Sequence, residues 1–346
     1  MAQTSERLLL NLPTVSVLIP TLNSDRTLDS CLASIVEQDY PSELVEIIVA
    51  DGGSDDRTRE VAEGYGAEVI VNRLRTGEAG KMAALRHARH DLVALVDSDN
   101  ILPRPDWLKK MVAPLVMDEK IVGSEPWEFT RRDGDPPFTR YCAMLGMNDP
   151  ICHFIGNYDR MNLLTETWTS LPVNAEDGED FVIIDPEPGV LPTIGANGTV
   201  WRRDALNIWK DRDYLFDIDV LESLVEDGQH RFAKVKIGII HLYADGLRQF
   251  SVKQTRRVSD YLYFRASGRR SYPWTAELRM GILRFVIACV TVAPLLRDTL
   301  VGYRRSRDLA WLLHAPSCWV TLAIYTWGFL ASRARRLPQS RKRWHA

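Results

Sequence analysis

Leu92-Val93-Ala94-Leu95-Val96-Asp97-Ser98-Asp99 is the stretch that decides the fold. Five apolar residues, two of them β-branched, stand between polar neighbours, which reads as a buried strand. Two carboxylates then leave its C-terminal end at i and i+2. On extended backbone they project to the same side. Two such acids repel each other unless a cation lies between them. A divalent hard cation with oxygen ligands suits that position and bridges to phosphates. A lone Asp-x-Asp is more often a solvated acidic turn, so the surrounding sequence has to carry the argument.

Three earlier runs have the same character. Val15–Ile19 leads into Pro20-Thr21-Leu22-Asn23, Val45–Ala50 into Asp51-Gly52-Gly53-Ser54, and Glu68–Val71 is the third. Leu28, Leu32, Ile35 and Val36 give the stripe of an amphipathic helix between the first two. Ser54 is expected to cap the next helix, with Asp55 and Asp56 at its positive end. Gly77-Glu-Ala-Gly80-Lys81 opens another. It is too short for a nucleotide-hydrolase phosphate loop, yet Lys81 near a helix start can meet a diphosphate. Strand alternating with helix predicts an α/β fold with a mostly parallel central sheet and helices on both faces. Ligands of such sheets bind at the carboxyl ends of the strands. Pro20, Thr21, Asn23, Asp51, Gly52, Lys81, Asp97, Ser98 and Asp99 belong to that edge.

In this order the motifs resemble the family-2 glycosyltransferases, which have the GT-A fold. Val15–Asn23 is similar to their first strand and turn, Ile47–Ser54 to the base-binding strand, Gly80–Leu85 to the helix after strand three, and Asp97-Ser-Asp99 to the metal motif. Ser24 stands where the family often has Glu, and Arg86 where it often has Asn. Downstream, Gly195-Ala196-Asn197-Gly198 and Trp201 resemble the segment lining the donor-sugar and acceptor pocket. Asp217 falls on the catalytic base position, with Asp219 as the reserve. His241 falls on a histidine that contacts metal or diphosphate. Gln254-Thr-Arg256-Arg257-Val258 resembles the Gln-x-x-Arg-Trp motif without its tryptophan.

The resemblance implies inverting transfer of a sugar from a nucleotide-diphosphate sugar, UDP-linked first and GDP-linked second. Pro20, Thr21, Asn23, Asp51, Gly52, Lys81, Asp97 and Ser98 would bind the nucleotide. Asp97, Asp99 and His241 would hold Mn²⁺ or Mg²⁺. Gly195, Ala196, Asn197, Trp201, Gln254, Arg256 and Arg257 would face donor sugar and acceptor. Asp217 would take or orient the acceptor proton. Two other classes stay open, a sugar-phosphate nucleotidyltransferase and an inactive nucleotide-sugar binding module. Pro20–Asn23 is not the basic Gly-rich loop of the first, and intact acids argue against the second.

The net charge of −3 hides an asymmetry: residues 1–247 carry −18 and residues 248–346 carry +15. A basic end implies an anionic partner. The same end carries apolar runs at Phe285–Leu296 and Leu309–Leu330, so a membrane surface is expected rather than nucleic acid. The first run is too short to span a core of about 30 Å, and the second is long enough. Arginines flank both runs, which favours helices in the interface or a re-entrant hairpin over two full spans. The expected division is a tail (1–12), a catalytic domain (13–247, with halves 13–123 and 124–247), an acceptor segment (248–275) and a membrane-associated helical pair with a basic tail (276–346). A membrane lipid acceptor follows, most simply polyprenyl phosphate, with a neutral lipid or a lipid-linked or polysaccharide glycan as the alternative. Five cysteines without metal or redox spacing suggest reduced thiols. Residues 1–11 lack a long apolar core, so a signal peptide is not expected. Both point to the cytoplasmic face of a membrane. The oligomeric state is not legible.

Overall fold

The computed structural model describes residues 12–209, 211–266 and 276–334. Its strands are β1 (Val15–Thr21), β2 (Val45–Asp51), β3 (Glu68–Val71), β4 (Leu92–Leu95), β5 (Asn100–Ile101), β6 (Gly123–Phe129), β7 (Asn157–Asn162), β8 (Thr167–Thr169), β9 (Asn174–Asp177), β10 (Phe181–Asp185), β11 (Thr199–Arg202) and β12 (Phe232–His241). The chain divides into two compact units, residues 1–130 with 171–242, and residues 131–170 with 243–346. The sequence-drawn boundaries fall elsewhere. The segment 131–170 packs with the C-terminal helices, and the first unit ends at 242 rather than 247.

The first unit is built on one sheet in the order β3-β2-β1-β4-β11-β6-β12-β10-β9, with β5 paired to β12. Strands β3, β2, β1 and β4 run parallel. Every residue of β1 is buried. Helices cover both faces of a parallel sheet, so its strands read as continuous apolar runs. Register places Thr21 beside Asp51 and Leu18 beside Leu95. The polar residues that follow these strands therefore emerge along one edge.

Helix Asp25–Val36 buries Leu28, Leu32 and Ile35, while Val36 faces solvent at the helix end. Helix Thr58–Gly64 is not capped by Ser54. Its first-turn Thr58 N–H donates to Asp56 Oδ1 at 2.9 Å. Helix Gly77–His87 is capped by Thr76, whose Oγ1 accepts from the Ala79 N–H at 3.3 Å. A Cβ on Gly80 of this helix would lie 2.7 Å from Pro20 Cβ and 2.9 Å from Asn72 Nδ2. Only glycine lets the helix sit this close to the end of β1. Gly80→Ala should therefore lower stability in chemical denaturation by about 1–3 kcal/mol, as overpacking does. An unchanged midpoint would show that the contact relaxes at no cost.

The second unit is mainly helical. Phe138, Tyr141, Leu145, Tyr158, Phe250 and Trp311 form one core cluster, and Phe285, Ala288, Cys289, Leu295 and Cys318 another. Helices Ala276–Thr291 and Ala293–Ser306 meet at a 92° bend. Val292 occupies the corner with φ +63°, in the left-handed region. Leu309–Ser332 is long and apolar enough to cross a membrane. These helices also carry apolar side chains outward. Met280, Leu283, Ile287 and Val290 form an exposed stripe on the first, Leu296 and Leu300 continue on the second, and Trp319, Trp327 and Leu330 stand on the last. All five cysteines are free thiols.

Candidate functional site

The first unit gathers most of the residues singled out from sequence at the carboxyl ends of β1, β2 and β4. At the end of β1, the buried Thr21 hydroxyl has no hydrogen-bond partner in its surroundings. Asn23 adopts φ +51°. Its N–H donates to Ser54 Oγ at 2.8 Å, and its Oδ1 accepts from the Asp55 N–H at 3.0 Å. Ser54 Oγ in turn donates to Asp51 Oδ1 at 2.6 Å. Ser54 thus ties the first two loops together instead of capping a helix.

Asp51 is fully buried, and Arg59 Nε donates to its Oδ2 at 2.6 Å. Burial pushes the Asp51 carboxyl up, but the hydrogen bonds from Ser54 and Arg59 outweigh it and hold the group below the usual carboxylate range. The carboxylate is thus already engaged by Ser54 and Arg59. Arg75 Nε donates to the Gly52 carbonyl at 2.5 Å, and its Nη2 to the Gly53 carbonyl at 3.1 Å. Sequence reasoning passed over both arginines. Nothing in their local pattern separates them from solvated charges.

The acidic turn has its own supports. Asp97 N–H donates to Asn100 Oδ1 at 2.9 Å, and Ser98 Oγ to Ser24 Oγ at 3.0 Å. Ser24 thus carries a hydroxyl contact where a longer acid is common in the resembling family. Asp99 Oδ1 lies 3.3 Å from His241 Nε2, at the end of β12. The Leu242 N–H donates to the Asp99 carbonyl at 2.8 Å, which fixes β12 against the turn. Among the described residues, no three His, Cys, Asp or Glu side chains close around one point. Asp99 and His241 are brought together, and Asp97 does not complete a protein cage with them. Two ligand-type atoms at an open edge fit a cation that takes its other ligands from phosphates and water.

Lys81 is buried, with Nζ 3.6 Å from Asp217 Oδ2. Burial works against the ammonium, but the carboxylates of Asp217, Asp97 and Glu78 outweigh it and hold the pKa above its ordinary value. Asp217 opens helix Asp217–Glu226. Burial, against the opposing pull of Lys81, pushes its carboxyl up to about 6. Its buried Oδ1 has no hydrogen-bond partner among the described residues. Asp219, two residues on, is fully buried. Of the two, Asp217 is the acid that faces Lys81 and is partly open to solvent, while Asp219 is closed off from it.

The loop Gly195–Gly198 lies against the acidic turn. Asn197 Oδ1 accepts from Asn100 Nδ2 at 2.9 Å, and the Gly195 N–H donates to Glu125 Oε1 at 2.9 Å. Trp201 corrects the expectation from sequence. It is 1 % exposed and packs on Phe232 at 5.0 Å between ring centroids. Strand β11 lies between β4 and β6, so its side chains are core and not pocket lining.

Gln254, Arg256 and Arg257 lie in the second unit, on helix Leu247–Ala266. Gln254 is also corrected: it is fully buried and donates Nε2 to the Asn148 carbonyl at 2.8 Å, so its amide holds the fold. Arg257 Nη1 lies 3.4 Å from Asp149 Oδ2 and is partly open to solvent, while Arg256 is exposed. Tyr325 Oη donates to the same Asp149 carboxylate.

Comparison with known proteins bears on the family and the fold. Residues 16–171 match the family described as Glycosyl transferase family 2. The chain is similar to the glycosyltransferase AglE of Haloferax volcanii, 29 % identical over 143 residues, which covers 39 % of this chain and 46 % of that protein. It is similar to an N-acetylglucosaminyltransferase of Bradyrhizobium elkanii, 38 % identical over 111 residues, covering 30 % of this chain and 60 % of that one. The chain thus spans less than two thirds of these curated relatives. Its fold is similar to that of the mannosyltransferase PcManGT from Pyrobaculum calidifontis, solved with GDP-Man and Mn²⁺. That likeness has a TM-score of 0.53 and 16 % identity, over 94 % of this chain and 96 % of the other. The match runs from β1 to just beyond β8 and takes in the acidic turn, so residues 16–171 form a family-2 glycosyltransferase domain, and the fold is of the GT-A type.

Proposed function

We propose that this protein transfers a sugar, with inversion, from a nucleoside diphosphate sugar to a membrane lipid, most simply a polyprenyl phosphate, at the cytoplasmic face of a membrane. The observation that carries the transfer chemistry is the Lys81–Asp217 pair. A partly buried acid with a pKa raised to about 6 is suited to take the proton of an acceptor hydroxyl, or, where the acceptor is an already ionised phosphate oxygen, to position the reacting groups. Lys81 keeps that acid oriented and offers positive charge toward a leaving diphosphate. The backbone around Asp51, Gly52 and Gly53 lets a flat base approach. A divalent cation, Mn²⁺ or Mg²⁺, held by Asp99, His241 and Asp97 would neutralise the diphosphate. The similarly folded mannosyltransferase, solved with GDP-Man and Mn²⁺, supports this choice of donor and metal class. UDP remains the first donor base to test and GDP the second.

The lipid acceptor rests on the second unit. Its helices are apolar on the packed face and again on the exposed face, which a water-soluble helix avoids. Arg279, Arg284, Arg297 and Arg304 stand exposed along the same helices. An anionic bilayer meets both features, gaining about 1 kcal/mol per nearby basic residue. The purified full-length chain should cosediment with vesicles containing phosphatidylglycerol and be released by salt. It should transfer sugar to polyprenyl phosphate in those vesicles, giving nucleoside diphosphate and not pyrophosphate. Arg257→Ala should lower transfer to polyprenyl phosphate about tenfold more than transfer to the unphosphorylated polyprenol, the cost of one charged hydrogen bond. Equal loss on both acceptors would favour a neutral lipid, and absence of vesicle binding would remove the lipid assignment.

A further inference from the structure

Asn100 follows the acidic turn directly and is fully buried. Its Oδ1 accepts from the Asp97 N–H, and its Nδ2 donates to Asn197 Oδ1, both at 2.9 Å. One planar amide thus joins the turn to the loop Gly195–Gly198. The other anchors of that loop are on the sheet. The Gly198 N–H donates to the Leu95 carbonyl at 2.8 Å. The Gly195 N–H donates to Glu125, whose Oε2 is held by Lys234 Nζ at 2.7 Å. Glu125 and Lys234 face each other across β6 and β12, both fully buried. A buried pair of this kind is costly to break and makes a fixed post. Both ends of the loop are therefore pinned to rigid strands. Asn197, between them, is pinned to the turn.

We propose that Asn100 is a positioning residue that couples the acidic turn to the Gly195–Gly198 loop, so that occupancy of Asp97–Asp99 by a cation and diphosphate sets the place of Asn197. This rests on the donor site proposed above. A shift of the turn carries the Asp97 amide, and Asn100 moves with it because both of its polar ends are engaged. The loop responds at Asn197 and not at Gly195 or Gly198. Asn100 needs no contact with the donor itself.

The test uses full-length protein, Mn²⁺, and whichever of UDP or GDP binds more tightly by calorimetry. Hydrogen exchange is followed across residues 193–199. In the wild type, Mn²⁺ with the nucleotide should slow exchange there by about tenfold, the scale of a local opening suppressed by one added constraint. Asn100→Ala should keep nucleotide affinity within about threefold, lose the slowing, and show kcat lowered about 10- to 100-fold with little change in donor KM. Asn197→Ala leaves the Asp97 amide capped and cuts the same bridge from the loop side, so it serves if Asn100→Ala folds poorly. In the double variant the exchange response should equal that of either single variant. Additive losses, a retained response in Asn100→Ala, or loss of nucleotide affinity in step with melting temperature would overturn the coupling. If the wild type binds nucleotide and the loop does not respond, the coupling alone falls. If the wild type binds neither nucleotide, the donor site falls and takes the coupling with it.

Discussion

Replacing Asp99 with asparagine should lower sugar transfer by about three orders of magnitude, the scale of several kcal/mol that a cation contributes to a charged transition state. The fold should survive, because Asp99 also serves the structure through its backbone carbonyl, which accepts from Leu242 and is untouched by the substitution. The side chain is partly exposed and faces His241 Nε2 at 3.3 Å. An amide keeps the shape and gives up the charge. Calorimetry with Mn²⁺ and UDP or GDP separates the outcomes: metal-dependent nucleotide binding should disappear while the melting temperature stays within a few degrees. A variant that turns over at the wild-type rate in EDTA would end the metal assignment.

Asp217→Asn should behave differently. Nucleotide binding should remain close to wild type while kcat falls by about 10²- to 10⁴-fold, the range for losing a general base. In the proposed role the residue acts in the transition state more than in donor binding. Its environment also sets a pH dependence. Burial raises the acid to about 6. The base form therefore grows as pH rises through that region, and kcat/KM of the wild type should climb with an acid limb near pH 6. A cation bound nearby favours the ionised form and moves the limb lower. The Asn variant should lose the limb altogether. If the limb persists there and vanishes in Asp219→Asn, the base lies two residues on. If the acceptor is a phosphate oxygen, already ionised, the loss should be nearer the low end of the range.

Strands β1 and β4 were legible because a parallel strand covered on both faces leaves a nearly unbroken apolar run, and β2 and β3 because short β-branched runs stand between polar residues. Val15–Ile19, Val45–Ala50, Glu68–Val71 and Leu92–Val96 end within two residues of the strands they became. Their edge residues followed from strand polarity alone. Trp201 did not follow, because β11 has four residues and carries no alternation to reveal that it enters the middle of the sheet. Ser54 looked like a helix cap since the local pattern matches one, but its hydroxyl donates to nearby Asp51 and accepts from the Asn23 N–H in the preceding loop. Arg59, Arg75, Glu125 and Lys234 gain their roles from long-range neighbours. The stretch 130–192, rich in Pro, Asp and Gly, had no readable period. Its helices Pro137–Leu145 and Ile151–Ile155 are short, and its strands β7 and β8 form a separate two-stranded sheet.

Val292 is a β-branched residue in the left-handed region, a conformation such side chains adopt only under constraint. Its N–H donates to the Ala288 carbonyl at 2.9 Å and its carbonyl accepts from the Leu296 N–H at 3.1 Å, and the helix turns by 92° at that point. Without the corner, Leu278–Ser306 would be one rod of about 43 Å, enough to cross a bilayer with tilt. With it, each arm of 14 residues reaches about 21 Å, short of the hydrocarbon thickness. Under the lipid reading proposed above, the corner therefore decides reach: neither arm is long enough to span the hydrocarbon core by itself.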